Sequence, residues 1–141
     1  MNLAVIDTNV LIDMANGKCP LAPLVARADR VYISPIVHGE YLACVRRGDR
    51  HGAKQRSYNL FLALSNVTVP PLTAATATHY ARLWQYLTDT GRPIPANDIW
   101  IAAHAMELAA TLVTADRHFD AIPNLPVLIA PAPPSRATGA P

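Results

Sequence analysis

Cysteine is scarce in this 141-residue sequence: Cys19 and Cys44 stand alone, and neither belongs to a CxxC pair. That excludes a disulfide framework and a cysteine-based zinc site, and leaves free thiols in a reducing compartment. Glycine is also sparse, and the six glycines form neither the phosphate-cradling loop nor the dinucleotide fingerprint, so the common nucleotide-binding classes drop out. Long apolar runs are missing, the longest being interrupted by Asp98, His104 and Glu107, so no membrane span is expected. Charge of one sign is not in excess either. A net +2 is too slight to announce a polyanion partner, and only clustering can decide that question. The first apolar run begins at Leu3, which leaves no room for a charged start followed by a separate signal segment. The expectation is a soluble cytoplasmic protein.

What the chain has is core material. Its 51% hydrophobic residues and mean hydropathy of +0.16 suffice for one domain, expected over residues 1–130. From Ala130 onward APAPPSRATGAP lacks apolar periodicity, and 131–141 reads as a disordered proline-rich tail.

The order of elements follows from punctuation and period. Leu3–Ile6 reads as a buried strand, Thr8–Ala15 as a short helix ended by Asn16-Gly17, and Pro20–Ala28 as a second helix. Val31–Ile33 is β-branched and aromatic, hence a strand, and Ser34-Pro35 both stops it and opens a helix to about Arg47. Helix is expected again through Tyr58–Leu64, and a short strand at Val67–Val69. An amphipathic helix from Thr73 to about Thr88 carries Tyr80, Leu83, Trp84 and Leu87 on one stripe, suited to core or to a dimer surface. From Asn97 the run IWIAAHAMELAA is apolar nearly all round, as befits a central buried helix. Thr111–Thr114 and Leu125–Ile129 complete the strands, with a short helix at Asp116–Ala121 between them. Alternating strand and helix predicts the α/β class: a parallel sheet of about five strands flanked by helices, with right-handed crossovers.

Four acids stand out against this frame. Asp7 ends a strand, where open α/β sheets bind their ligands. Asp98 opens a helix and Asp116 lies between strand and helix, so each aspartate alone is explained as a helix cap. Glu40 is less easily explained, since it falls on the stripe of Val37, Tyr41, Cys44 and Val45 that should face inward, and a buried unpaired carboxylate is costly. Brought to one crevice, four carboxylates repel one another unless protonated or neutralised. All-oxygen ligation suits Mg²⁺ or Mn²⁺, which activate water and stabilise the oxygens of a phosphodiester. Thr8, Asn9, Asn97 and Thr114 stand beside the acids, either as turn and cap residues or as groups that orient carboxylates and phosphate. Arg46, Arg47, Arg50, Lys54 and Arg56 crowd into eleven residues with His51. The bland reading is a solvated face; the functional one is a track for a phosphate backbone, which would then also reach the acids because the run follows the helix of Glu40.

Asp7-Thr8-Asn9 after an apolar strand, Gly39-Glu40, Asn97-Asp98-Ile99-Trp100-Ile101-Ala102-Ala103, and Leu112-Val113-Thr114-Ala115-Asp116 ending in Phe119 together resemble a PIN-domain ribonuclease, nearest to the VapC-like toxins. The resemblance runs from residue 3 to about 129. It implies a three-layer α/β fold, cleavage of RNA with Mg²⁺ or Mn²⁺, a homodimer, and an antitoxin protein that blocks the site. It maps the family's acids onto Asp7, Glu40, Asp98 and Asp116 and its hydroxyls onto Thr8 and Thr114. Many relatives carry another Asp two residues beyond the fourth acid; this chain has His118 there, followed by Phe119-Asp120. Ala109 stands where a Gly often ends the central helix.

Two other classes compete for the same residues. A phosphatase with an aspartyl nucleophile would need a second acid where Asn9 stands. A non-catalytic module that binds RNA or an antitoxin on the same fold would be favoured by the loss of an acid, yet all four are present.

Overall fold

The computed structural model describes residues 1–131, so the tail expected at 131–141 lies, beyond Pro131, outside the described residues. Strands β1 (Leu3–Ile6), β2 (Arg30–Tyr32), β3 (Val67–Thr68), β4 (Thr111–Thr114) and β5 (Val127–Ile129) alternate with helices α1 (Thr8–Ala15), α2 (Ala22–Ala26), α3 (Pro35–Gly48), α4 (Ala53–Leu62), α5 (Ala74–Asp89) and α6 (Ala96–Glu107). A 3₁₀ turn, Arg117–Ala121, lies between β4 and β5. The sheet is wholly parallel in the order β3-β2-β1-β4-β5. The α/β expectation therefore holds, with the same number of strands.

Successive strand residues point to opposite faces, yet Ala4, Val5 and Ile6 of β1 are all fully buried, as are Leu112 and Val113 of β4. Both faces of the central strands are thus covered by helices, giving three layers. The chain runs outward from β1 to β2 and β3, then returns to place β4 on the other side of β1. That reversal leaves a crevice beyond the carboxyl ends of β1 and β4, the place where such sheets take ligands.

Helix α6 fills the layer over these strands, with Ile99 and Ile101 through Ala105 buried. Helix α5 packs against it: Leu83 and Leu87 are buried, and Tyr80 stacks on Trp100 with ring centroids 4.2 Å apart. Trp84, on the same stripe, stays 53% exposed.

Several boundaries differ from the expectation, each for a local reason. Helix α2 is shorter than Pro20–Ala28, since it starts only at Ala22 and Arg27 already caps it. The basic run is not simply an extension of α3. Asp49 interrupts it, accepting from the backbone N–H groups of Lys54 (3.1 Å) and Gln55 (2.9 Å) and so starting α4 at Ala53, ahead of the expected Tyr58. Strand β5 begins at Val127 rather than Leu125, because Pro126 precedes it and contributes only its carbonyl, to Leu112. Cys44, placed on the inward stripe of α3, is exposed.

Candidate active site

Asp7 is the best held of the acids. Its backbone N–H extends the β1–β4 ladder to the Val113 carbonyl at 2.9 Å, which fixes the side chain over the crevice. The carboxylate then caps α1: Oδ1 accepts from the Thr8 N–H at 2.8 Å, while Oδ2 accepts from Thr114 Oγ1 at 2.6 Å and Asn9 Nδ2 at 3.4 Å. The Thr114 hydroxyl in turn accepts from the Asp116 N–H at 3.0 Å, and the Asn9 carbonyl from the Ala115 N–H at 3.1 Å. Across the crevice, Thr8 Oγ1 donates to Glu40 Oε1 at 3.0 Å. One continuous chain of polar contacts therefore runs from Glu40 through Thr8, Asp7 and Thr114 to Asp116.

Asp98 enters from the third position of α6. It does not cap that helix, whose cap position is Pro95, so the cap explanation available from sequence fails at this acid. Its carboxyl is pushed up to about 6, first by burial, then by the charges of Asp7, Glu40 and Asp116, with His118 acting in the opposite sense. Asp7 is also raised, chiefly by burial and against the pull of its Thr114 and Thr8 hydrogen bonds, with Asp116 adding to the rise. Three elements and a turn thus deliver four carboxylates to one place, near enough for the charges of the other three to add to the rise at Asp98.

His118 completes the cluster. Its backbone N–H donates to Asp116 Oδ1 at 3.0 Å. Its ring lies between two acids, Nε2 3.0 Å from Asp98 Oδ2 and Nδ1 3.0 Å from Asp116 Oδ1. One ligand atom from each of Asp98, Asp116 and His118 falls within 4.8 Å of the others.

Other expected residues are distributed differently. Glu40 is half-buried rather than sunk in the core, and its partner is a hydroxyl, so it costs the fold less than its stripe position suggested. Asn97 is exposed and takes no part in the chain of contacts. Asp120 points away, 56% exposed and 3.9 Å from Arg117. Arg46, Arg47, Arg50 and Lys54 are all exposed. Arg47 follows Glu40 by seven residues, which puts it on the same face of α3 about two turns, or roughly 10 Å, further along.

Residues 4–125 match the PIN domain family. The chain is a PIN-domain protein. Within that family its likeness is to VapC proteins. It is 32% identical over 113 residues to Ribonuclease VapC1 of Haemophilus influenzae, covering 77% of this chain and 83% of that one. It is 32% identical over 126 residues to Ribonuclease VapC2 of Rickettsia felis, covering 85% and 92%. The structure of VapBC2 from Rickettsia felis, bound to a DNA fragment from their promoter, matches with a TM-score of 0.79 at 28% identity, over 92% of this chain and 99% of that chain. VapBC-1 from nontypeable Haemophilus influenzae matches with a TM-score of 0.77, also at 28% identity, over 90% and 97%.

In this PIN domain, the position that sequence reasoning left without a role is His118. The available signal was its spacing: two residues after Asp116, on a turn pinned by the fully buried Phe119, a side chain is returned to the crevice that Asp116 faces.

Proposed function

We propose that the protein is a Mg²⁺- or Mn²⁺-dependent endoribonuclease and the toxin of a toxin–antitoxin pair, with Asp7, Glu40, Asp98 and Asp116 as its catalytic acids and metal ligands. The observation that carries this reading is the convergence of four carboxylates at the sheet's switch point, where burial, with the charges of Asp7, Glu40 and Asp116 added to it, pushes Asp98 up to about 6. A protein gains nothing in stability from such crowding, so it is retained for function. The donor set is rich in carboxylate oxygen, which fits a hard divalent cation. When bound, such an ion supplies Lewis acidity to the phosphodiester and acidifies water.

The chain's own residues do the positioning. Thr114 and the Thr8 N–H lock the Asp7 carboxylate in one orientation, Thr8 aims Glu40, and Asn9 ties Asp7 to the backbone after β4. Asp98 and Asp116 face them from α6 and from the turn after β4. Arg46 and Arg47 near the end of α3, with Arg50 in the following loop and Lys54 on α4, offer phosphate contacts that lead an RNA strand towards Glu40, with Arg47 the best placed.

Three features support the partners. The names Ribonuclease VapC1 and VapC2, and the VapBC assemblies, belong to relatives that this chain matches over most of its length. A groove lined by Leu11, Met14, Ala15, Tyr41, Tyr58 and Phe61 runs between α1 and α4, and it suits an apolar segment of an antitoxin. Leu60, Leu64 and Trp84 are exposed by 72%, 53% and 53%, and such side chains suit a homodimer interface.

The test is cleavage of single-stranded RNA by the purified protein with Mg²⁺, with Mn²⁺ and with EDTA, with and without the product of the adjacent open reading frame. Metal-dependent cleavage that the partner suppresses is expected. Full activity in excess EDTA overturns the reading, and RNA binding without cleavage under all conditions would favour a non-catalytic module. Neutralising Arg46, Arg47 and Arg50 should reduce the salt dependence of RNA binding, and an unchanged slope assigns them to a solvated face.

A further inference from the structure

The imidazole of His118 is placed in a way that caps, turns and packing do not require. Phe119 is fully buried and anchors the turn, and the His118 backbone already bonds to Asp116. The ring, tilted against Phe119 with centroids 4.5 Å apart, is therefore free to choose its contacts, and it turns both nitrogens towards carboxylates. Nε2 is shielded from solvent and, although 3.0 Å from Asp98 Oδ2, lacks the alignment of a hydrogen bond. A neutral imidazole carries one N–H and one lone pair. A neutral ring donates from only one nitrogen, so with both nitrogens 3.0 Å from carboxylate oxygens the other contact needs a positive partner, either an added proton on the ring or the carboxyl, or a metal ion.

We propose that this partner is the divalent ion of the acid cluster and that His118 is one of its ligands, making a mixed nitrogen and oxygen site that selects Mn²⁺ over Mg²⁺ more strongly than the carboxylates alone do. The inference rests on the metal-dependent reading above and deepens it. Imidazole nitrogen is a good donor to first-row transition ions and a poor one to Mg²⁺, which holds to oxygen and keeps its water. The ligand atoms of Asp98, Asp116 and His118 lie within 4.8 Å of one another, a compact set in which nitrogen replaces an oxygen donor. Asp120, the other acid near this turn, is exposed beside Arg117 and does not compete for the role.

The test uses the full chain without a histidine tag and needs no turnover. Substoichiometric Mn²⁺ is added, nitrogen coupling to the ion is read by pulsed electron paramagnetic resonance, and Mn²⁺ and Mg²⁺ affinities are measured by titration. Nitrogen coupling is expected in the original protein. It should vanish in His118→Phe, with the ratio of Mn²⁺ to Mg²⁺ affinity falling by at least the roughly 10-fold that loss of even a supporting group costs. His118→Asp, an all-oxygen set, should keep tight binding of both ions while losing the added preference. Mn²⁺ bound without nitrogen coupling overturns the inference and leaves the acid cluster as a metal site. Equal tightening of both ions in His118→Phe also overturns it, since His118 would then be a counter-ion that the metal displaces. Asp98→Asn separates the two readings. Mn²⁺ affinity unchanged in that variant, or absent in the original protein, defeats the metal-dependent reading itself, and this inference with it. Should His118→Phe fail to fold, the coupling in the original protein still decides.

Discussion

The two ends of α6 treat their acids in opposite ways. At the N-terminal end Asp98 makes no cap and lies among three other carboxylates and a histidine, and its ionisation is resisted. At the C-terminal end Glu107 accepts from Thr73 Oγ1 at 2.8 Å and from Thr76 Oγ1, and although burial pushes its carboxyl up, these bonds and the His104 and His79 charges outweigh that and lower it. Thr73 and Thr76 also form the capping box of α5, so Glu107 joins the cap of one helix to the tail of another. Both acids sit on the same buried helix. What separates them is whether the surroundings were built to satisfy the charge or to crowd it, and only the second arrangement needs a reason beyond folding.

The largest test of that contrast is Asp98→Asn, which keeps the shape and removes one charge. Cleavage should fall by at least about 100-fold, as loss of a group that acts on the transition state does, while the metal-free protein should be equally or more stable. Mg²⁺ should raise the melting temperature of the original protein and raise that of the variant less, because a ligand stabilises in proportion to its affinity. Intact cleavage together with an identical Mg²⁺ response in both proteins would remove Asp98 from the site.

The same carboxyl sets a pH dependence whose sign can be worked out. Asp98 moves from 3.8 to about 6, so the folded state holds the proton more tightly than the unfolded chain. Its contribution to stability is present below about pH 4, is lost as pH rises through about 6, and amounts to at most about 3 kcal/mol. The other end of α6 works in the reverse sense. Burial depresses His104, against the pull of Glu107, and the Glu107 carboxyl is also lowered, so both support the fold at higher pH and lose that support as pH falls. Denaturant unfolding in EDTA from pH 4 to 7 should therefore show the gap between Asp98→Asn and the original protein opening as pH rises. A gap that is constant with pH contradicts the crowding of charges.

Thr76→Val probes the satisfied end. Thr76 is fully buried, and its loss leaves one Glu107 oxygen without its partner, which costs about 2 kcal/mol for a bond to a charged group. RNA cleavage, measured under conditions where the variant is folded, should be unchanged. A variant as stable as the original, or one that is folded but inactive, would erase the distinction between the two ends.

The fold was readable because its signals are local. β1 and β4, α1 and the buried run of α6 announce themselves by apolar pattern, and Ser34-Pro35 fixes the start of α3. The crevice followed from strand order, which places the residues after β1 and β4 side by side, and three of the four acids stand at the ends of elements that a sequence can mark. Illegible were the facts that depend on facing pairs. That Thr8 bonds Glu40 32 residues away, that Thr114 bonds Asp7 across 107, and that Asn97 turns outward while His118 turns inward are settled by packing. No spacing rule contains them. The Glu107 network was missed for the same reason: its threonines are the cap and first turn of α5, more than 30 residues before it.

The smallest expected effect lies two residues past Glu107, at Ala109. Helices α1, α5 and α6 all end in the same hydrogen-bond pattern: Gly17 to Met14 with Lys18 to Asp13, Gly91 to Thr88 with Arg92 to Leu87, and Ala109 to Met106 with Ala110 to Ala105, each N–H to carbonyl. This is the Schellman ending, which requires a left-handed residue just past the cap. Gly17 and Gly91 take φ of 67° and 68° freely, whereas Ala109 is held at 51° with a Cβ that disfavours it. The left-handed conformation costs an L-residue roughly 1–2 kcal/mol, and glycine returns about 0.5–1 kcal/mol of that through its greater unfolded-state entropy. Ala109→Gly should therefore stabilise by about 0.5–1 kcal/mol, or on the order of 2–4 °C in Tm, with cleavage unaffected. The converse is available at the other two endings, because a Cβ at Gly17 or Gly91 meets nothing within 4 Å and Gly→Ala there tests the backbone alone. Equal and opposite shifts in Ala109→Gly and Gly17→Ala would isolate conformational strain as the cause. A destabilised Ala109→Gly would mean that the Ala109 methyl contributes more through its contacts than its conformation costs.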